Sequence, residues 1–123
     1  MPIVDIELVL ADGAPAPDAV LTQALADAAG SALGSPPGRT WVRLHALAAS
    51  HYAENGAAID AEGLPVFATV LHAKPPEGAA RATEVTQLTQ ALAQVLGRAP
   101  ERVHLQYAPA AAGRQAFGGR LVP

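Results

Sequence analysis

The residue in this chain that could do chemistry unaided is Pro2, directly behind Met1 in "MPIVDIELVL". Removal of the initiator methionine, common ahead of small residues, leaves Pro2 with a free secondary amine at the chain terminus. A terminal α-amino group titrates near ~7.7–8.0 in solution, and an apolar pocket or a neighbouring cation lowers that value by disfavouring the ammonium form. An amine poised near neutrality is a general base that needs no His, Glu or metal, and such a base contributes roughly 10²–10⁴-fold in rate. It can take a proton from carbon beside a carbonyl, or attack a carbonyl as a nucleophile to give an iminium species. A purely structural role is open too, because the first residue of a strand tolerates a proline that has no N–H to donate.

The rest of the composition narrows the setting. At 123 residues the chain has the length of one compact domain. It has no cysteine, which excludes disulfides, thiolate nucleophiles and thiolate metal sites. A formal charge of −3 gives no support for nucleic-acid binding, which draws on clustered positive charge. The apolar runs are too short to span a membrane, and Asp5 and Glu7 with no basic n-region argue against a signal peptide. A cytoplasmic protein is expected. One Trp, two Tyr and two Phe leave few bulky anchors for a core, so association of copies is a natural way to bury more apolar surface.

The elements that must position Pro2 repeat along the chain. "PIVDIELVL" alternates with the period of a strand buried on one face, and residues 18–33 carry Leu21, Ala24, Leu25, Ala28 and Ala32 at helical spacing, closed by Gly34. "GSPPGR" is a stop, and "TWVRLHAL" alternates again. From residue 65 the order recurs: strand "PVFATVLHA", turn "KPPEG", a helix over residues 80–96 with Val85, Leu88, Leu92 and Val95 on one face, the stop "GRAP", and strand "ERVHLQYA". Pro2 to Pro65 and Gly34 to Gly97 are both 63 positions, and Val42 to Val103 is 61. The expected fold is a single α+β domain over 1–123, with one βαβ repeat over 2–47, a polar linker over 48–64 and a second repeat over 65–123. Right-handed crossovers put both helices on one face of a four-stranded sheet. The other face, read as apolar at most positions, then needs a cover that copies packed around an axis would supply.

Two βαβ units opened by prolines, the first behind Met1, resemble the tautomerase superfamily. "MPIV" and "LTQALADAAGSALGSPPGRTWVRLH" are similar to the start, helix, Pro-Pro turn and strand of its macrophage migration inhibitory factor branch, and "LGRAPERVHLQYA" to that branch's second helix stop and strand. "GRQAFGGRL" resembles the Gly-rich hairpin that closes the single-unit 4-oxalocrotonate tautomerases. The resemblance implies a homotrimer whose three sheets enclose a barrel-like interior. It also implies a cofactor-independent isomerase, with Pro2 moving a proton within an unsaturated 2-oxo or 2-hydroxy acid.

It further implies site residues. Arg43 and Lys74 fall near family positions that bind substrate carboxylate, and both suit an acidic substrate. Tyr52 falls where single-unit enzymes place an aromatic beside the proline. His104 and Gln106 alternate on one strand, so both face one way, and they match pocket positions supplied partly by a neighbouring subunit. Two departures qualify the likeness. Ser35 stands where the inhibitory-factor branch has a lysine before Pro-Pro, and a hydroxyl supplies no charge. The cis-dehalogenase pattern of a His, arginines and a late Glu is met by Ala29, Ala73 with Pro76, and Ala116, leaving no carboxylate to activate water. Three other readings therefore stand beside the isomerase: a trimeric binding module with weak catalysis, a dehalogenase, and a hydratase or decarboxylase.

Overall fold

The computed structural model describes all 123 residues. Strand β1 (Ile3–Leu10) leads through helix α1 (Ala19–Ala32) to β2 (Trp41–Ala48), and β3 (Val66–Leu71) leads through α2 (Gly78–Leu96) to β4 (Val103–Tyr107). A short hairpin of β5 (Ala116–Phe117) and β6 (Arg120–Leu121) follows. The main sheet runs β2-β1-β3-β4. The pairs β1–β2 and β3–β4 are parallel, as βαβ units demand, while β1 and β3 meet antiparallel. The beginnings of β1 and β3 therefore lie at opposite ends of the sheet.

The helices form where the sequence spacing placed them, with local chemistry fixing their ends. Asp18 caps α1 by accepting the Leu21 N–H at 2.8 Å. Gly97 ends α2 in the left-handed region at φ 63°, which an L-residue enters only at a cost. Helix α2 starts two residues earlier than the spacing indicates. In α1 the inward stripe is rotated from the one read in the sequence. Leu25 and Ala29 are buried, whereas Ala28 and Ala32 line a groove against Gln87, Gln90 and Gln94 of α2.

Both helices cover one sheet face, where Val4, Ile6, Leu8, Val66, Ala68, Val70 and Val103 pack against Leu25, Ala29, Leu88 and Leu92. The opposite face corrects one expectation. Instead of being apolar at most positions, it mixes Asp5, Glu7, Arg43, His45, Thr69, His104 and Gln106, clustered toward its centre and β4, with Ile3, Val9, Trp41, Leu47, Phe67 and Leu71. Alternation explains this: short apolar strands look continuous in one dimension, but the residues of odd number in β1 and β2 all fall on the open side.

The internal repeat is also in a different register. Because both helices lie on one face, equivalent residues of β1 and β3 must both point inward. Val4, Ile6 and Leu8 correspond to Val66, Ala68 and Val70, an offset of 62 rather than 63. Pro2 is thus the counterpart of Leu64, and Pro65 is the counterpart of Ile3. No helix is long and apolar enough to cross a membrane.

Candidate active site

Pro2 is buried at the start of β1. Its carbonyl accepts the Trp41 N–H at 3.1 Å, so the first residue of β2 fixes the backbone just ahead of the sheet ladder. Met1 lines a cavity of about 240 Å³ together with Gly38, Arg39, Trp41, Ala73, Phe117 and Val122. The turn before β2, the turn after β3 and the C-terminal hairpin thus converge on the N-terminus. Trp41 and Phe117 meet edge to face, with ring centroids 5.0 Å apart and planes at 81°, a favoured aromatic geometry. The Trp41 indole N–H donates to the Gly38 carbonyl at 3.2 Å. This lining contains one cation, Arg39, and no carboxylate.

A second cavity, about 380 Å³, lies on the open sheet face between Asp5, Glu7, His45, Phe67, Thr69 and Gln106. Two carboxylates in its wall oppose an anionic ligand. The cavity at Pro2 is the one that suits an acid.

The residues singled out from sequence do not gather at Pro2 within one chain. Arg43 lies two residues beyond Trp41 on β2, where both its Nε and its Nη2 donate to Asp5, the second at 2.7 Å. That hydrogen bonding, and then the Asp5 charge, raises the guanidinium pKa above its ordinary value. Lys74 is exposed in the turn one residue past Ala73, beside the Pro2 cavity but outside its lining. Tyr52 and His104 lie at the other end of the sheet, flanking Phe67 with ring centroids 5.8 and 5.4 Å away. Phe67 pairs with Glu7, four residues along β1 from Ile3, so this end stands roughly 13 Å further along the strand at ~3.3 Å per residue. Gln106 sits between the two ends and donates to Thr69 Oγ1 at 2.8 Å.

The far end is tied up in its own interactions. Tyr52 donates to Glu54 at 2.6 Å and Arg102 Nη2 donates to the same oxygen at 2.9 Å. Those two hydrogen bonds hold the Glu54 carboxyl below the usual carboxylate range. Arg98 donates from Nη1 to the Leu64 carbonyl at 2.7 Å and from Nη2 to the Val9 carbonyl at 2.8 Å. Since Leu64 is the counterpart of Pro2, Arg98 locks the pseudo-equivalent position with a guanidinium. Ser35 stands at the corresponding place by the helix offset of 63, and its hydroxyl donates a long hydrogen bond, 3.4 Å, to the Pro36 carbonyl.

Sequence reasoning missed Arg39, Trp41 and Phe117. The signal for Arg39 and Trp41 was their place just after Pro36-Pro37, in the turn that leads back toward Pro2. Phe117 carried a weaker one, its position in the Gly-rich hairpin.

No protein-family model matches the sequence, and no curated protein matches it significantly. Solved structures do match. A fused 4-OT described as an F6 wild-type asymmetric trimer superposes with a TM-score of 0.72 at 20% identity, over 95% of this chain and 94% of that one. A macrophage migration inhibitory factor from Oncomelania hupensis gives 0.73 at 20% identity, covering 100% of this chain and 83% of that one. A malonate semialdehyde decarboxylase gives 0.65 at 18% identity, over 94% and 90%. The chain thus has the fold that these solved structures share.

Proposed function

We propose that this chain is a cofactor-independent tautomerase or isomerase, in which Pro2, freed by removal of Met1, moves a proton within an unsaturated 2-oxo or 2-hydroxy acid. One observation carries the reading. Met1 lines the cavity that holds a cation and no carboxylate, so the amine exposed when Met1 leaves belongs to that cavity. The Pro2 nitrogen takes a proton from carbon adjacent to the substrate carbonyl and returns it elsewhere on the conjugated system. The negative charge that develops on oxygen is stabilised by donors held in place beforehand. The Trp41–Phe117 wall keeps water from the amine and favours its neutral form.

In this proposal Lys74, at the cavity mouth, draws anions in by its field. Arg43 is held back by Asp5. Tyr52, His104 and Gln106 join Pro2 only from a second copy, in a homotrimer like the one the F6 fused 4-OT forms. The fold alone does not choose the reaction, since a decarboxylase shares it.

The test is turnover of a panel of 2-hydroxydienoates and phenylenolpyruvate by protein shown by mass spectrometry to lack Met1, compared with Pro2→Ala. Wild type is expected to be faster by roughly 10²–10⁴-fold. Equal rates, or full activity in protein that retains Met1, overturn the assignment. Ser35 supports a second reading, a trimeric binding module with weak catalysis, because no cation stands where the inhibitory-factor branch has its lysine. Ligand binding without turnover by Met1-free protein selects that reading.

A further inference from the structure

The two arginines on either side of Trp41, Arg39 in the turn before β2 and Arg43 within it, are in opposite states. Arg39, an exposed residue, lines the cavity at Pro2 and its side chain has no hydrogen-bond or ion-pair partner within the chain, while the Arg43 guanidinium is forked onto Asp5. The backbone of Arg39 is held in place, because its N–H donates to the Pro36 carbonyl at 3.1 Å in a turn stiffened by two prolines. An arginine fork matches a carboxylate with two parallel hydrogen bonds. Apart from Met1, which the proposed function removes, the lining around it is apolar: Trp41, Ala73, Phe117 and Val122. The cavity of about 240 Å³ falls just below the roughly 300–1,000 Å³ of sites for drug-sized ligands, which is the scale of a small organic acid.

We propose that Arg39 is the carboxylate-holding residue of this cavity, and that the Asp5–Arg43 pair limits the site to acids with one carboxylate and an apolar or aromatic body. The reaction assigned above is one use of such a site, and the inference deepens that reading without depending on turnover. A second carboxylate extending along β2 from the cavity meets Arg43 already neutralised, with the Asp5 charge beside it. It must displace Asp5 or tolerate a like charge, and discrimination of this kind works by repulsion as much as by attraction. Lys74 and Arg120 are the other cations nearby, but neither lines the cavity.

Trp41 is the single tryptophan of the chain and forms part of the wall, so its fluorescence reports occupancy without any reaction. The probes are trans-cinnamate, an aromatic monocarboxylate, and cis,cis-muconate, an unsaturated dicarboxylate. Neither carries the oxo or hydroxy group that tautomerisation needs. Cinnamate is expected to quench Trp41 and to bind wild type at least tenfold more tightly than muconate does. Arg39→Gln weakens cinnamate tenfold or more, Arg39→Lys recovers part of the loss, and Arg120→Gln, at an exposed cation outside the lining, changes it less than threefold. Asp5→Asn releases Arg43 and tightens muconate several-fold, with cinnamate unchanged. The inference is overturned by unchanged cinnamate binding in Arg39→Gln, by an equal loss in Arg120→Gln, or by no gain for muconate in Asp5→Asn. Arg39-dependent quenching in a protein with no turnover leaves this inference standing and removes the isomerase reading. Turnover that needs Pro2 but ignores Arg39 does the reverse.

Discussion

Two tyrosines, both with perturbed hydroxyls, give the residue scale its clearest test. Tyr52 is raised above the ordinary phenol value chiefly by its hydrogen bond to Glu54, and Tyr107 by burial first and then by its hydrogen bond to Glu84. His72 Nε2 shares the same Glu84 oxygen at 2.9 Å and stacks on Tyr107, with Arg81 5.3 Å from the ring centroid on the other element. A group whose folded pKa lies above its unfolded value stabilises the fold fully below the unfolded pKa, near ~10 for tyrosine, and loses that contribution as pH rises through the folded value. Native protein should therefore show no tyrosinate absorbance step near pH ~10, denatured protein should show a two-residue step there, and stability should fall above that pH. A native step of two residues at the ordinary phenol value contradicts both hydrogen-bonded clusters. Residue chemistry was only partly legible in the sequence. Pro2 announced itself by position, because its chemistry depends on one neighbour in the chain. The Asp5–Arg43 and Tyr107–Glu84 contacts join residues that only the fold brings together.

Between the elements, the two repeats have diverged into one open end and one locked end. The sequence shows the repetition plainly, since helices, stops and strands recur in order. It misleads on register by one residue, because prolines at both strand starts suggest an equivalence that the facing of Val4 and Val66 rules out. Pro65, fully buried and within the chain, has no free amine in either register. The Arg98 lock gives the asymmetry an energetic consequence. Desolvation lowers the Arg98 pKa, and the carbonyls of Leu64 and Val9 lose their guanidinium donor if the side chain is cut back. Arg98→Ala should cost about 1.5–3 kcal/mol, the range for hydrogen bonds to a charged group in a partly buried site. Urea unfolding should show this as a lower midpoint with an unchanged slope. Cinnamate binding should be unaffected, because Arg98 belongs to the other end of the sheet. Equal weakening of the ligand would mean that the two ends are coupled.

For the whole molecule, the question is why residues suited to one pocket sit at opposite ends of a chain. Both outer strands, β2 and β4, have an unpaired edge, and the face away from the helices carries polar side chains across its centre. In the proposed homotrimer, a subunit completes its site by placing its β4 end against a neighbour's β1 start. Rotational symmetry repeats that contact at every interface. The polar character of the open face fits an enclosed, hydrated interior better than the apolar seal that the sequence reading called for. Shared sites can be tested by mixing two defective chains. Pro2→Ala removes the base, and His104→Ala removes the imidazole offered to the neighbouring site, so each homotrimer should be impaired. Co-refolded at equal amounts, the variants should regain activity, because a site built from one chain's Pro2 and the next chain's His104 is intact in roughly a quarter of random pairings around a closed ring. Chains mixed without refolding should regain none while the trimers stay assembled. If co-refolding restores nothing although His104→Ala alone is impaired, Pro2 and His104 act within one chain, and the strand geometry that separates them must change on binding.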